Sequence, residues 1–309
     1  AAAKAQLGKV AMTSRAFHNE RLGPFLEKLC KLTGKDRALP MNSGAEAVET
    51  AIKAMRLWGY RHKGVPREKA EIIVFENNFH GRTTTIVGFS SDPDSYEGFG
   101  PATPGFRRLP FGDARALEAA IGPSTVGVLL EPIQGEAGVV IPPEGWLKAV
   151  RDICSEKRVL MCADEIQTGL GRTGKIFACD HEGVVPDLYV LGKALSGGLY
   201  PVSAVCADDE VLGLFTPGTH GSTFGGNPLA AAIGSAALDV LVDEKLPERA
   251  ARVGRRLVEK LETLGHPRLK AVRARGMIIA IEFSDRVRPL VEGLLAEGVL
   301  AKDTHEYTV

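Results

Sequence analysis

Residues 159–193 read VLMCADEIQTGLGRTGKIFACDHEGVVPDLYVLGK, and two short apolar runs in this stretch decide the fold. Val159–Ala163 ends on Asp164, and Leu188–Leu191 ends one residue short of Lys193. Runs of this length, rich in β-branched and aliphatic residues and separated by turn-forming glycines, predict fully buried strands of a parallel sheet. In open sheets of that kind ligands sit beyond the carboxyl ends of the strands, so Asp164 and Lys193 become candidate functional residues by position alone. A structural ion pair is the other reading of a carboxylate and a lysine on neighbouring strand ends.

The pattern extends outward. Ile72–Phe75, Val126–Leu130 and Val202–Cys206 are further candidate strands, and Glu131 follows the second of these as Asp164 follows its own. Asp113–Ile121 and Trp146–Glu156 have helical period. After Asn227-Pro228 a long helix is predicted to about Val242, then a second from Pro247, a residue suited to a first helical turn, to Leu264. A strand at Met277–Phe283 and a helix from Val287 to Glu297 complete the reading. The fold class is therefore α/β: a major domain with a mostly parallel sheet flanked by helices, then a smaller α+β domain. The expected divisions are 1–34 leading in, 35–235 as the major domain, and 236–309 as part of the smaller one.

Bulk properties narrow the function. The 309 residues carry 38 Lys+Arg and 38 Asp+Glu, so no net field draws the chain to nucleic acid or to an anionic membrane. No apolar run is long enough to span a bilayer. A small-molecule ligand is expected. The five cysteines are scattered without a C-x-x-C pair, which suggests neither a disulfide framework nor a zinc site. That points to a reducing intracellular compartment, the cytoplasm, or the mitochondrial matrix if a leader precedes residue 1. Both ends of the chain look cut.

Two segments could bind phosphate. In MNSGAEAVETAIKAMRLW (41–58), Ser43-x-x-Glu46 forms a capping box ahead of a helical apolar period, with Gly44 at the entrance. Exposed N–H groups and the macrodipole favour an anion there by roughly 0.3–1 kcal/mol. Many capped helices bind nothing. The competing motif, Gly169 to Lys175, fits G-x-x-x-x-G-K, but Ile176 stands where a magnesium-binding Ser or Thr is needed, and the following residues read as loop. A nucleotide triphosphatase is thus disfavoured.

ADEIQTGLGRTG followed by PDLYVLGKALSGGLYP resembles the class III aminotransferases, fold-type I enzymes that use pyridoxal 5'-phosphate. Asp164 and Lys193 lie 29 residues apart, with Gln167 three after the Asp. TSRAF, LPMNSG, NNFHGRT, EPIQGEAGVV, HGSTFGGNPL and LAKDTH continue the likeness almost end to end, and DPDSYEGFGPATPGF (92–106) is most similar to the ornithine aminotransferase branch. The resemblance implies an aspartate aminotransferase-like fold and a set of roles. Lys193 would hold the cofactor as an imine and shuttle protons, and Asp164 would keep the pyridine nitrogen protonated. Phe79 would lie over the ring, Gln167 near its phenolic oxygen, and Gly44 and Ala45 at the phosphate. Ser222 and Thr223 would serve the phosphate of a second subunit, implying a homodimer. Arg82 would receive the α-carboxylate of L-ornithine, for which a guanidinium fork is well shaped. Glu131 and Glu136 would lie near substrate, Glu136 paired with an arginine that is released to bind 2-oxoglutarate. Departures from the family pattern are His18 in place of a usual tyrosine, and missing terminal segments. Acetylornithine or 4-aminobutyrate as donor, and a catalytically silent binding module, remain the alternatives.

Overall fold

The structure, a computed structural model, describes residues 1–309. Seven strands form one sheet in the order β1-β7-β6-β5-β4-β2-β3. They are β1 (Arg37–Met41), β2 (Glu71–Phe75), β3 (Phe106–Leu109), β4 (Thr125–Leu130), β5 (Leu160–Asp164), β6 (Leu188–Leu191) and β7 (Ser203–Ala207). The five predicted strands are present within about a residue of the expected bounds. One differs in direction: β7 runs antiparallel to both β1 and β6. Strands β1 and β3 escaped the sequence reading. Their burial is partial at the sheet edges, so Arg37, Arg107 and Arg108 interrupt the apolar pattern.

All six residues of β4 are buried, as a central strand covered on both faces requires. One face packs on the helix Gly44–Trp58, whose Val48, Ile52 and Met55 point into the largest core cluster. The other packs on the helix Trp146–Glu156 through Val150 and Cys154. Burying one such aliphatic side chain stabilises by about 1.5–3 kcal/mol. These helices consequently hold the strand ends, and the residues just beyond them, in fixed relation.

The long helix Pro228–Asp243 is N-capped by Asn227, whose side chain accepts from Ala230 N–H at 2.8 Å, and it runs unbroken through 235 and 236. A second sheet follows: β8 (Leu269–Arg275) pairs antiparallel with β9 (Ile278–Phe283). Strand β8, half-buried and carrying Lys270 and two arginines, was also not legible in the sequence. The segment with the G-x-x-x-x-G-K spacing is followed by a short 3-10 helix, Ala178–Glu182, and by no α-helix before β6. Its loop receives the β8–β9 turn, where Gly276 adopts φ +58° and any Cβ would collide with Thr173. Met277 N–H donates to Arg172 O at 2.9 Å in the same contact. The glycines of that loop therefore serve backbone packing. No helix is long and apolar enough to cross a membrane.

Candidate active site

A cavity of about 190 Å³ opens at the carboxyl ends of the central strands. Gly44, Ala45, Phe79, Asp164, Gln167 and Lys193 all line it, and Glu131 joins them. Each arrives for a local reason. Asp164 is the last residue of β5, 3% exposed, and its Oδ1 accepts the N–H of Ile166 at 3.1 Å. Gly44 begins the helix capped by Ser43. The Ser43 hydroxyl accepts from Glu46 N–H at 3.2 Å, and Glu46 returns the bond by accepting Ser43 N–H at 2.7 Å. Donors at the helix entrance thus face the cavity with no bulky side chain before them. A Cβ on Gly44 would come within 2.9 Å of Ile166 Cδ1. Gly81 has φ +131°, and its Cβ would meet that of Ala45 at 2.9 Å, so the two segments close on each other only because it has none.

Lys193 follows Gly192 with φ +42°, a left-handed conformation that a non-glycine residue adopts at some expense, and such strain concentrates at functional sites. Its amine makes no hydrogen bond or ion pair with the protein. Much of the residue's surface meets solvent, yet the amine is sunk far enough into the wall that lost hydration lowers its pKa. The carboxylates of Glu136, Asp164 and Glu131 oppose that shift, and the charge of Lys302 adds to it.

The residue that sequence reasoning missed is His80. Its side chain is fully buried, and Nδ1 donates to Asp164 Oδ2 at 2.7 Å. Burial works against a charged ring, but the hydrogen bond and charge of Asp164, with help from Glu131, outweigh it and hold the imidazole above its ordinary pKa. Its Nε2 is buried without a partner. The signal was within reach: His80 lies shortly after β2, at the same sheet edge as Asp164. Glu131 is 4% exposed and accepts N–H bonds from Phe79 at 2.8 Å and Gly135 at 3.2 Å. Burial pushes its carboxyl up to about 7, with His80 pulling it down and Asp164 pushing it up.

Four predicted residues lie off the cavity. Glu136 borders it by accepting from Gln167 Nε2 at 3.1 Å. The cation on its other oxygen is Lys302, at 2.6 Å. The chain folds Lys302 onto this carboxylate from its final segment. Arg82 is exposed, without an ion pair, its guanidinium carbon 5.9 Å from the centre of the Phe79 ring. Ser222 and Thr223 sit elsewhere: Ser222 Oγ accepts from Asn42 Nδ2 at 2.9 Å, and Thr223 is exposed beside Arg15 and His18.

A phosphate-ready helix entrance, a buried carboxylate backed by an imidazole, and an unengaged amine in one cavity define an α/β enzyme of the transaminase kind. The chain belongs to the class III aminotransferase family, whose profile (Aminotransferase class-III) matches residues 1–309, and it is a pyridoxal-phosphate-dependent transaminase. It is 57% identical over 308 residues to an ornithine aminotransferase from a Geobacillus species, covering all of this chain and 77% of that protein. The ornithine aminotransferase structure from Toxoplasma gondii superposes with a TM-score of 0.97 at 43% identity, covering 99% of this chain and 75% of the other. An acetylornithine aminotransferase from Elizabethkingia anophelis superposes at 0.90 with 50% identity, covering 99% and 77%. The lining fits the cofactor: Gly44 and Ala45 leave a cradle that a larger side chain would fill, Asp164 is an anion suited to a pyridinium, and Lys193 offers a free amine.

Proposed function

We propose that the chain transfers the δ-amino group of L-ornithine to 2-oxoglutarate, giving glutamate 5-semialdehyde and glutamate. The observation that carries this reading is Arg82, an unpaired guanidinium beside Phe79 at the rim of the cavity that holds the Lys193 amine. A carboxylate bound there turns the far end of a diamino acid toward Lys193. The 57% identity to a curated protein named ornithine aminotransferase supports that donor.

Pyridoxal phosphate, when bound, supplies a protonated pyridine ring that withdraws electrons from the substrate carbon. Gly44 and Ala45 bind its phosphate through backbone N–H groups at the helix entrance. Asp164 holds the proton at the ring nitrogen. His80, donating to Asp164 Oδ2, orients that carboxylate. Phe79 would pack over the ring, its N–H held by Glu131. Gln167 would lie beside the ring oxygen, and Glu136 would face the substrate. Lys193 Nζ would take and give back the proton at substrate Cδ. Half-buried Ser222 and exposed Thr223, both away from this chain's own cavity, serve the phosphate of a second copy in a homodimer. Residues 35–235 act as the cofactor-binding domain, with 1–34 leading in and 236–309 as part of the smaller domain.

The test is an absorption spectrum of the purified chain with pyridoxal phosphate. We expect a visible band that Lys193→Ala abolishes, that L-ornithine bleaches and that 2-oxoglutarate restores. A folded wild-type sample without a Lys193-dependent band overturns the reading. Bleaching by N-acetylornithine or 4-aminobutyrate in preference to L-ornithine reassigns the donor.

A further inference from the structure

The loop that carries Ser222 and Thr223 is fastened to the helix whose entrance forms the phosphate cradle, Gly44–Trp58. Just ahead of that helix, Asn42 Nδ2 donates to Ser222 Oγ at 2.9 Å, and Gly225 N–H donates to the same oxygen at 3.0 Å. Arg15 Nη1 donates to Ser222 O at 3.2 Å. Farther along the helix the loop is held again, by the half-buried His220. Its Nε2 lies 2.9 Å from Thr50 Oγ1 and its Nδ1 lies 2.8 Å from Lys53 Nζ, while its ring stacks on Phe215 with centroids 4.8 Å apart. Thr223 falls between His220 and Gly225 in the chain and is exposed.

Counting hydrogens assigns the imidazole. Thr50 is buried, and its one hydroxyl proton is donated to Glu46 O at 2.7 Å, so toward His220 the Thr50 oxygen can only accept. Nε2 therefore carries a hydrogen. An ammonium only donates, so Nδ1 accepts from Lys53 and carries none. The ring is neutral and held in one tautomer. Burial, Lys53 on the same helix and Arg15 from the leading segment all keep its pKa below the ordinary value, in agreement with that state. We infer that His220 is a positioning residue for the cofactor phosphate: its ring pins the loop to the phosphate helix and so fixes where Thr223 is presented to a second copy. The inference rests on the reading that Ser222 and Thr223 serve that copy's phosphate. Ser222 Oγ, accepting from two donors of its own chain, is the inner anchor of the loop, and the exposed Thr223 is the residue the anchors place. A hydrogen bond to phosphate weakens steeply as its angle departs from straight, so a loop free to shift would lose it.

The affinities of pyridoxal phosphate and of pyridoxal, which lacks the phosphate, are measured by equilibrium dialysis, and their ratio reports the phosphate contacts. Thr223→Val should lower the preference for pyridoxal phosphate by about 10-fold, the scale of one hydrogen bond to a charged group. His220→Phe, which keeps a ring against Phe215 and removes both hydrogen bonds, should lower it by a similar factor while leaving pyridoxal affinity in place. His220→Gln, whose amide offers one donor and one acceptor, should restore most of the preference. Placed in the Thr223→Val chain, His220→Phe should add little, because it acts through that hydroxyl. If Thr223→Val lowers the preference and His220→Phe does not, the role of His220 is wrong while that of the loop stands. Equal loss of pyridoxal and pyridoxal phosphate in His220→Phe, no recovery in His220→Gln, or a full further loss in the double variant also overturns the inference. An unchanged preference in Thr223→Val removes the reading of the loop and the inference with it.

Discussion

Nδ1 of His80 lies 2.7 Å from Oδ2 of Asp164, with both side chains sealed from solvent. The imidazole is the one side chain paired with that carboxylate, and separating a buried pair leaves its survivor uncompensated, at about 3–5 kcal/mol. His80→Phe should therefore destabilise the cofactor-free chain by that order in urea unfolding and lower kcat with little change in KM for the amino donor. His80→Gln, which keeps a donor, should recover part of both. An unchanged kcat in the Phe variant would remove His80 from the catalytic assembly.

The pH dependence of stability follows from the raised carboxyl of Glu131. Its folded pKa of about 7 exceeds the ordinary 4.5, so between those values the folded chain retains a proton that the unfolded chain has lost. Stability from this group is full below 4.5, declines as pH rises, and levels off above 7. The total is about 3 kcal/mol. His80, also raised, acts in the same direction, losing its contribution as pH rises through its folded value. Unfolding free energies measured at pH 5 and pH 7.5 should differ less in Glu131→Gln than in wild type. An equal difference in both would show that Glu131 is ionised normally.

Arg82 should separate binding from cofactor chemistry. Arg82→Ala removes a charge-assisted carboxylate contact worth about 1.5–3 kcal/mol, which predicts a KM for L-ornithine raised by about 10-fold to 100-fold. The visible band should be unaffected, because the guanidinium lies outside the lining of the cofactor cavity. Loss of the band together with the rise in KM would place Arg82 on the cofactor itself.

Gly81 tests the phosphate end. Its φ is +131°, and a Cβ added to it would stand 2.9 Å from that of Ala45, so Gly81→Ala must strain its own backbone or push the helix entrance aside. A weakening of pyridoxal phosphate affinity by about 10-fold, read by equilibrium dialysis, corresponds to about 1.4 kcal/mol at that entrance. Ser43→Ala should cost about 1 kcal/mol of stability through the lost cap. Unchanged affinity in Gly81→Ala would mean that the phosphate is held elsewhere.

Much of the molecule was readable before the fold was known, and the reasons are local. Strands buried on both faces, such as β4 with its TVGVLL, must be apolar throughout, so their ends point to Glu131 and Asp164 without any tertiary knowledge. The capping box at Ser43 is written in residues three apart and forms as expected. Edge strands β1 and β3 face solvent along part of their length, so nothing in their sequence demanded a sheet. The direction of β7 was equally hidden, since an antiparallel strand and a parallel one bury the same side chains.

What the sequence by itself determined is the class of fold, the family, and the identity of the residues at strand ends and at the helix entrance, because these follow from period, burial and short-range hydrogen bonding. Tertiary structure alone decided which distant residues meet. His80 joins Asp164 across 84 positions and Lys302 joins Glu136 across 166. Whether a histidine backs a buried carboxylate, or a lysine meets one at the surface, depends on a few ångströms of separation, and in the buried case on the exclusion of water. Those are properties of the packed chain, since charges in contact within a low-dielectric wall shift each other's protons far more than the same charges in solution.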